Sequence, residues 1–253
     1  PTISYTPVGG DQYARQMMSP VSVNSLAQLA GNLADPAAIY YALVSSVNGI
    51  HNPDFLTPLS TPDERFVRVV TIMTQLAQAN RLHWVQDPQQ EGRFSIIIDH
   101  YSPDYADEVN ELLALLGISP PENRSSRLTL PVFLALDEHD SGGVGVTTRS
   151  VFELLEILSG AVEVPEQDQT NGVAIGYPSR GMIGKQLRVR YSGTRPEHAS
   201  VAVKHRNGWF YIDERDQTTK LFFRLVTTLM SIKIAESTNR ASATPILTVP
   251  VSR

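Results

Sequence analysis

Residues 199–226 read ASVAVKHRNGWFYIDERDQTTKLFFRLV. Residues 199–206 and 209–213 are short β-branched and aromatic runs separated by Asn207-Gly208, a strong two-residue hairpin signal. A type I′ turn at that pair would put both residues at positive φ. Asp216 then stands as an N-cap, and Phe222, Leu225, Val226, Leu229 and Ile232 recur at helical spacing as far as about Glu236. Strand, turn, strand and helix thus follow one another within forty residues. With residues 186–192 as a preceding strand, the segment predicts an antiparallel meander with a helix docked on it. Alternation puts Trp209, Tyr211 and Asp213 on one face and Phe210 and Ile212 on the other.

Upstream, the chain is mainly helical. Asp35-Pro36, Thr61-Pro62 and Ser102-Pro103 each set a cap acceptor before a proline at the first helical position. Thr61 with Glu64 fits a capping box, as does Ser150 with Glu153. The helix from Pro36 carries Ile39, Leu43 and Val47 on one face and stops near Gly49. The helix from Pro62 carries Phe66, Val69, Val70, Met73 and Leu76, and the one from Pro103 carries Val109, Leu112, Leu113 and Leu116 up to Gly117. The helix from Ser150 carries Val151, Leu154, Leu155 and Leu158 up to Gly160, and a short helix is expected between Asn24 and Leu33. Residues 82–86 and 93–99 read as a hairpin. Residues 127–136 read as a strand that Pro131 assigns to an edge or a break. A last strand is expected over residues 245–251, and long polar loops over 119–126, 138–147 and 165–184.

The fold class that follows is α+β: a helical N-terminal part with a β-hairpin, then an antiparallel sheet with a docked C-terminal helix. The irregular order of elements argues against a doubly wound nucleotide-binding fold. Residues 1–24 read as an extended tether, 25–160 as a helix-rich part, and 161–253 as a sheet-rich part with a long helix, the last two being either separate or one continuous domain. The start at Pro1 and the Thr, Ser, Pro and Gly content of the first residues suit a leader or lipid anchor upstream of residue 1. The setting expected is the cell envelope or periplasm, with the cytoplasm as alternative.

The chain has 253 residues, no cysteine and a formal charge of −5. Disulfides, thiolate metal sites and thiol nucleophiles are therefore excluded. Its most apolar helical stretch, residues 221–235, is interrupted by Arg224 and Lys233 and is not a membrane span. The charge is uneven: residues 1–179 carry −13 and residues 180–253 carry +8. Such a split marks either a partner-binding face or mutual attraction within one fold.

Motifs for chemistry are sparse. His51, His83, His100, His139, His198 and His205 show no metal-ligand spacing. Asp137-Glu-His-Asp-Ser-Gly-Gly lacks the ligand pattern of a calcium loop. Gly142-Gly-Val-Gly145 is too short for a dinucleotide fingerprint, and Tyr177 replaces the first glycine a nucleophile elbow would need before Ser179. No metal and no cofactor is expected. The densest cluster is Asp213-Glu-Arg-Asp216, where a strand delivers the chain into a helix. An arginine between carboxylates there could grip an anion; alternatively, Asp216 caps the helix, Arg215 pairs with a carboxylate and the aromatics are core. The candidate binding residues are Trp209, Tyr211, Asp213, Arg215 and Asp216.

The segment from Trp209 to Asp216, Lys220 with Phe222-Phe223, and Pro245-Ile-Leu-Thr-Val-Pro250 resemble the C-terminal block of uncharacterised bacterial proteins. Thr148-Arg149-Ser150 and Val162-Glu163-Val164-Pro165 resemble their preceding block. The resemblance covers about the last 105 residues. It carries over no catalytic residue and implies a bacterial source and an envelope setting. The expected function is a non-catalytic interaction or assembly protein, a bacterial cell-envelope subunit with a protein partner or a second copy of itself. Nucleic acid is not the expected partner of so acidic a chain. The alternative is a hydrolase using the Asp/Arg cluster at 213–216.

Overall fold

The computed structural model describes residues 10–32, 36–52, 63–90, 92–99, 103–120, 127–135, 142–179 and 181–241. Helices α1 (Gly10–Met18), α2 (Val23–Asn32) and α3 (Pro36–Leu43) precede a hairpin of β1 (Val44–Val47) and β2 (Ile50–His51). Next come α4 (Glu64–Gln78), the hairpin β3 (Leu82–Gln86) and β4 (Phe94–Asp99), a 3-10 turn over Pro103–Tyr105, and α5 (Ala106–Leu116). Then follow β5 (Arg127–Leu134), β6 (Val144–Thr148), α6 (Val151–Ser159), α7 (Glu166–Thr170) and α8 (Gly181–Gly184). The chain continues through β7 (Arg190–Ser192), β8 (Ala199–His205), β9 (Gly208–Asp213) and α9 (Gln217–Ala241).

The architecture is α+β, with two sheets. The larger runs β2-β1-β6-β5-β4-β3, and its β5–β6 pair is parallel. The smaller is antiparallel and runs β7-β9-β8. Strand β4 shows why the large sheet forms: Phe94, Ile96 and Ile98 are buried in strict alternation with less buried neighbours, the signature of a sheet with one face in the core. Helix α2 lies against β3, β4 and β5, and α4 against β2 and β3, while α1, α6 and α9 pack on one another. A single cluster of buried side chains runs from Met17 to Leu229 and joins both parts of the chain.

Several local expectations hold. Ser150 and Glu153 form a reciprocal capping box at α6, and Gly117 ends α5 in the left-handed conformation at φ 67°. Strands β3 and β4 pair from Leu82↔Ile98 to Gln86↔Phe94. Strand β5 forms as expected, but the edge position inferred from Pro131 is corrected: β5 pairs on both sides, and Pro131 is accommodated because the β5–β6 ladder starts only at Val132↔Val144. The caps expected at Asp35, Thr61 and Ser102 and the strand at 245–251 lie outside the described residues; the cap seen at α4 is Asp63, which accepts the Arg65 amide at 2.9 Å.

Four further expectations are corrected. The helix from Pro36 does not reach Gly49: it ends at Leu43, and β1 begins at the next residue. The carbonyls stranded at that junction are met from far along the chain. The buried Arg149 guanidinium donates to Tyr41 O at 2.8 Å and Ala42 O at 2.9 Å, and Asn52 Nδ2 donates to Tyr41 O and Val44 O. Asn48 and Gly49 then make the hairpin turn, at φ 43° and 74°, the positive pair a type I′ turn requires. Second, part of the loop expected over 138–147 is β6, whose Val144 and Val146 are buried between β1 and β5.

Third, the three C-terminal strands are not a meander, because β9 takes the centre between β7 and β8. Their turn is also different. His205 pairs with Gly208, so the loop residues are Arg206 and Asn207, and Arg206 sits at φ 52°. Gly208 is a strand residue outside the left-handed region. Fourth, the extended tether is a helix from Gly10 to Met18, with Met17, Val21 and Val23 buried. Val21 N donates to Arg149 O, Thr148 Oγ1 donates to Val21 O, and Pro20 bridges to Ser150. Residues 1–9 lie outside the described residues.

Candidate interaction surface

The segment 213–216 is a structural junction. Asp213 Oδ1 accepts the backbone amide of Arg215 at 2.8 Å, closing the turn that leaves β9. Asp216 caps α9: its Oδ1 accepts Thr219 N at 3.0 Å and its Oδ2 accepts Thr219 Oγ1 at 2.7 Å. Thr219 is fully buried, and its hydroxyl oxygen accepts Arg188 N, which ties the cap to the chain entering β7. The Asp213 and Asp216 carboxylates, two of those that acid–base chemistry would need, thus each already hold a backbone amide. Arg215 is exposed, and its guanidinium pairs with no carboxylate among the described residues. The expected Arg215 ion pair is therefore corrected: Asp213 turns toward the Arg215 amide instead. Arg215→Lys should consequently leave the melting temperature unchanged, because an exposed group with no partner contributes within about 0.5 kcal/mol.

The small sheet has two distinct faces. Ile212 is buried, and Phe210 stacks obliquely on Tyr191 with ring centroids 5.4 Å apart. The opposite face carries Trp209, Tyr211 and Asp213, as the alternation predicts. Strand pairing adds neighbours that the linear sequence did not reveal. Arg190 and Ala202 flank Tyr211, and Ser192 and Lys204 flank Trp209. Arg195 extends over the Trp209 ring at 5.5 Å from its centroid, a cation–π arrangement. Arg190, Arg195 and Lys204 are exposed, while Trp209 and Tyr211 are half-buried. The result is a half-buried aromatic pair with three exposed cations beside it and Asp213 at one end of the same face. The alternation of basic residues along 188–206 was the available signal, but it pointed nowhere until β7 and β8 were known to lie on opposite sides of β9.

Other places are poorer candidates. A cavity of about 20 Å³ beneath the large sheet is lined by apolar side chains including Leu26, Phe66, Met73, Trp84 and Ile96; that is room for about one water molecule and no larger ligand. Beside it, Trp84 Nε1 donates to the Tyr40 hydroxyl at 3.0 Å, and burial pushes that hydroxyl's pKa up to about 12. Among the described residues no group of three or more His, Asp or Glu side chains could hold a metal ion, and no helix is long and apolar enough to cross a membrane. No family model matches the chain, and no curated protein or solved structure matches it either.

Proposed function

We propose that this protein is a non-catalytic interaction or assembly subunit, and that the open face of β7, β9 and β8 is where an acidic protein partner docks. The observation that supports this reading is the placement of Trp209 and Tyr211, half-buried, among the exposed cations Arg190, Arg195 and Lys204. Tryptophan, tyrosine and arginine are the residue types that dominate binding energy at protein interfaces. A ring of cations around them selects for carboxylate-rich partners and speeds encounter. The alternative, a hydrolase at 213–216, has less support, since Asp213 and Asp216 already accept hydrogen bonds from Arg215 and Thr219. Following the resemblance of the C-terminal block, we assign the protein itself to the bacterial cell envelope or periplasm, with the cytoplasm as the competing compartment.

The test uses a panel of acidic peptides and, beside it, single-stranded oligonucleotides of equal length. Wild-type protein is expected to bind the peptides in a salt-dependent manner. Arg190→Glu and Trp209→Ala should each weaken that binding roughly tenfold or more without changing the melting temperature. If peptide affinity is equal in wild type and both variants, the face is not the docking site. Tighter binding of the oligonucleotides than of any peptide would replace the acidic protein with a nucleic acid.

A further inference from the structure

Among the described residues, the small sheet has one covered edge and one bare edge. On the β7 side, Val162 bridges to Val189, Glu163 N donates to Val189 O, and the Glu163 side chain accepts the Tyr191 amide. On the other side, β8 pairs with β9 alone among the described residues. Counting out from the two-residue turn between His205 and Gly208, the alternation of an antiparallel ladder directs the amides of Ala202 and Lys204 away from β9. Val203, on the Phe210 face of this edge, is 59% exposed.

Elsewhere on the molecule is a segment with the complementary property. Residues 172–179 follow α7 without forming a helix or a strand. They are pinned at both ends: Val173 N and Ala174 N donate to Asp168 O, and Ser179 Oγ donates to Gly160 O. Between those anchors, the amides of Ile175, Gly176 and Tyr177 donate to no backbone carbonyl among the described residues. Val173, Ile175 and Tyr177 are 53%, 74% and 62% exposed. Apolar side chains at every second position, with free backbone amides between them, are what an added β-strand presents to a sheet edge.

We propose that residues 172–179 of one copy of this protein add as a strand to the β8 edge of a second copy. Val173, Ile175 and Tyr177 would then be covered against the face that bears Val203 and Phe210. The occupant is a second copy because the two surfaces match in charge as well as in shape. The strap follows Glu166 and Asp168, whereas the far end of β8 carries Lys204 and His205 and the turn after it Arg206, all exposed. Burial of three large apolar side chains otherwise left in water supplies the driving force. Lys204 on the bare edge disfavours indiscriminate edge-to-edge pairing, so an incoming strand must bring its own acidic flank. This pairing uses the edge amides and the Val203 face and shares only Lys204 with the Trp209 face; Arg190 and Trp209, on which the docking of an acidic partner is tested, take no part in it.

Sedimentation velocity over a concentration series tests it, with the full chain. Wild type should self-associate. Ile175→Asp, which charges the strap, and Ala202→Pro, which removes an outward amide from the edge, should each raise the dissociation constant roughly tenfold or more. Val203→Glu serves as a second edge variant that leaves the backbone untouched, and circular dichroism melts establish that each variant is folded. The discriminating measurement is the mixture. The strap variant retains a sound edge and the edge variant a sound strap, so an equimolar mixture should form a 1:1 heterodimer that neither forms alone. A wild type that stays monomeric at every concentration overturns the proposal. So does an assembly indifferent to both variants, or a mixture no more associated than its components.

Discussion

Gly208 shows how a residue can be needed for a reason other than its backbone. Paired with Asn207 it suggests a type I′ turn, yet it is the first residue of β9 and its φ is outside the left-handed region. What the position requires is space: a Cβ there would overlap the ring of Tyr191, which lies across the strand. Gly208→Ala should therefore destabilise the protein by about 1–3 kcal/mol, the usual cost of overpacking. The replacement of Tyr191 by Ala in the same chain should recover most of the loss that Gly208→Ala adds. Denaturant midpoints of the two single variants and the double variant decide the matter. Additive losses would mean that the backbone of Gly208, and not the neighbouring ring, sets the requirement. The sequence shows that a glycine stands beside the turn, but the ring it accommodates comes from β7, seventeen residues earlier.

At the level of elements, the junction between α3 and β1 is the most informative. Pro36 to Leu43 and Val44 to Val47 form one apolar run, and periodicity alone extends the helix through it. The helix stops because its last carbonyls find donors outside it. Arg149 and Asn52 supply those donors, and Leu43 O accepts the Arg149 amide at 2.7 Å. Arg149→Met keeps much of the aliphatic volume but takes the donor from the Ala42 carbonyl and leaves those of Tyr41 and Val44 to Asn52 alone. The expected loss is about 1–3 kcal/mol, the cost of one unsatisfied buried group, read as a lower chemical denaturation midpoint at unchanged slope. A change within 0.5 kcal/mol, the range of an ordinary surface substitution, would show that the guanidinium does not hold the junction. By contrast, the caps at Ser150 and Asp216 were legible in sequence because each is closed by a residue three positions away.

For the molecule as a whole, the N-terminal helix matters most. Residues 1–24 lack a clear apolar period and read as a tether, yet α1 packs on α6 and α9. Lys233, 5% exposed on α9, donates to Ser19 Oγ at 2.8 Å and Pro20 O at 3.0 Å. A lysine that reads as an interruption of the α9 stripe thus bonds to the chain some 210 positions earlier. Lys233→Met should destabilise the protein by about 1.5–3 kcal/mol, the usual contribution of hydrogen bonds to a charged group. It should also raise amide hydrogen exchange over residues 10–23, with β3 and β4 unaffected. Exchange that rises equally everywhere would mean that α1 is not held locally by this contact.

The sequence by itself determined those features whose partners lie within a few residues. These are the α+β class, the β3–β4 hairpin, the strand-turn-strand of β8 and β9, the α6 capping box and the Asp216 cap. Each rests on an interaction between near neighbours, so a window of ten residues contains its cause. The tertiary structure alone decided where α3 ends, that β6 is a strand, that β9 lies between β7 and β8, and that α1 belongs to the core. It also decided that Arg190 flanks Tyr211 and that Lys204 flanks Trp209. In each of these cases the deciding donor, acceptor or packing surface comes from elsewhere in the chain, and a local pattern holds no record of it.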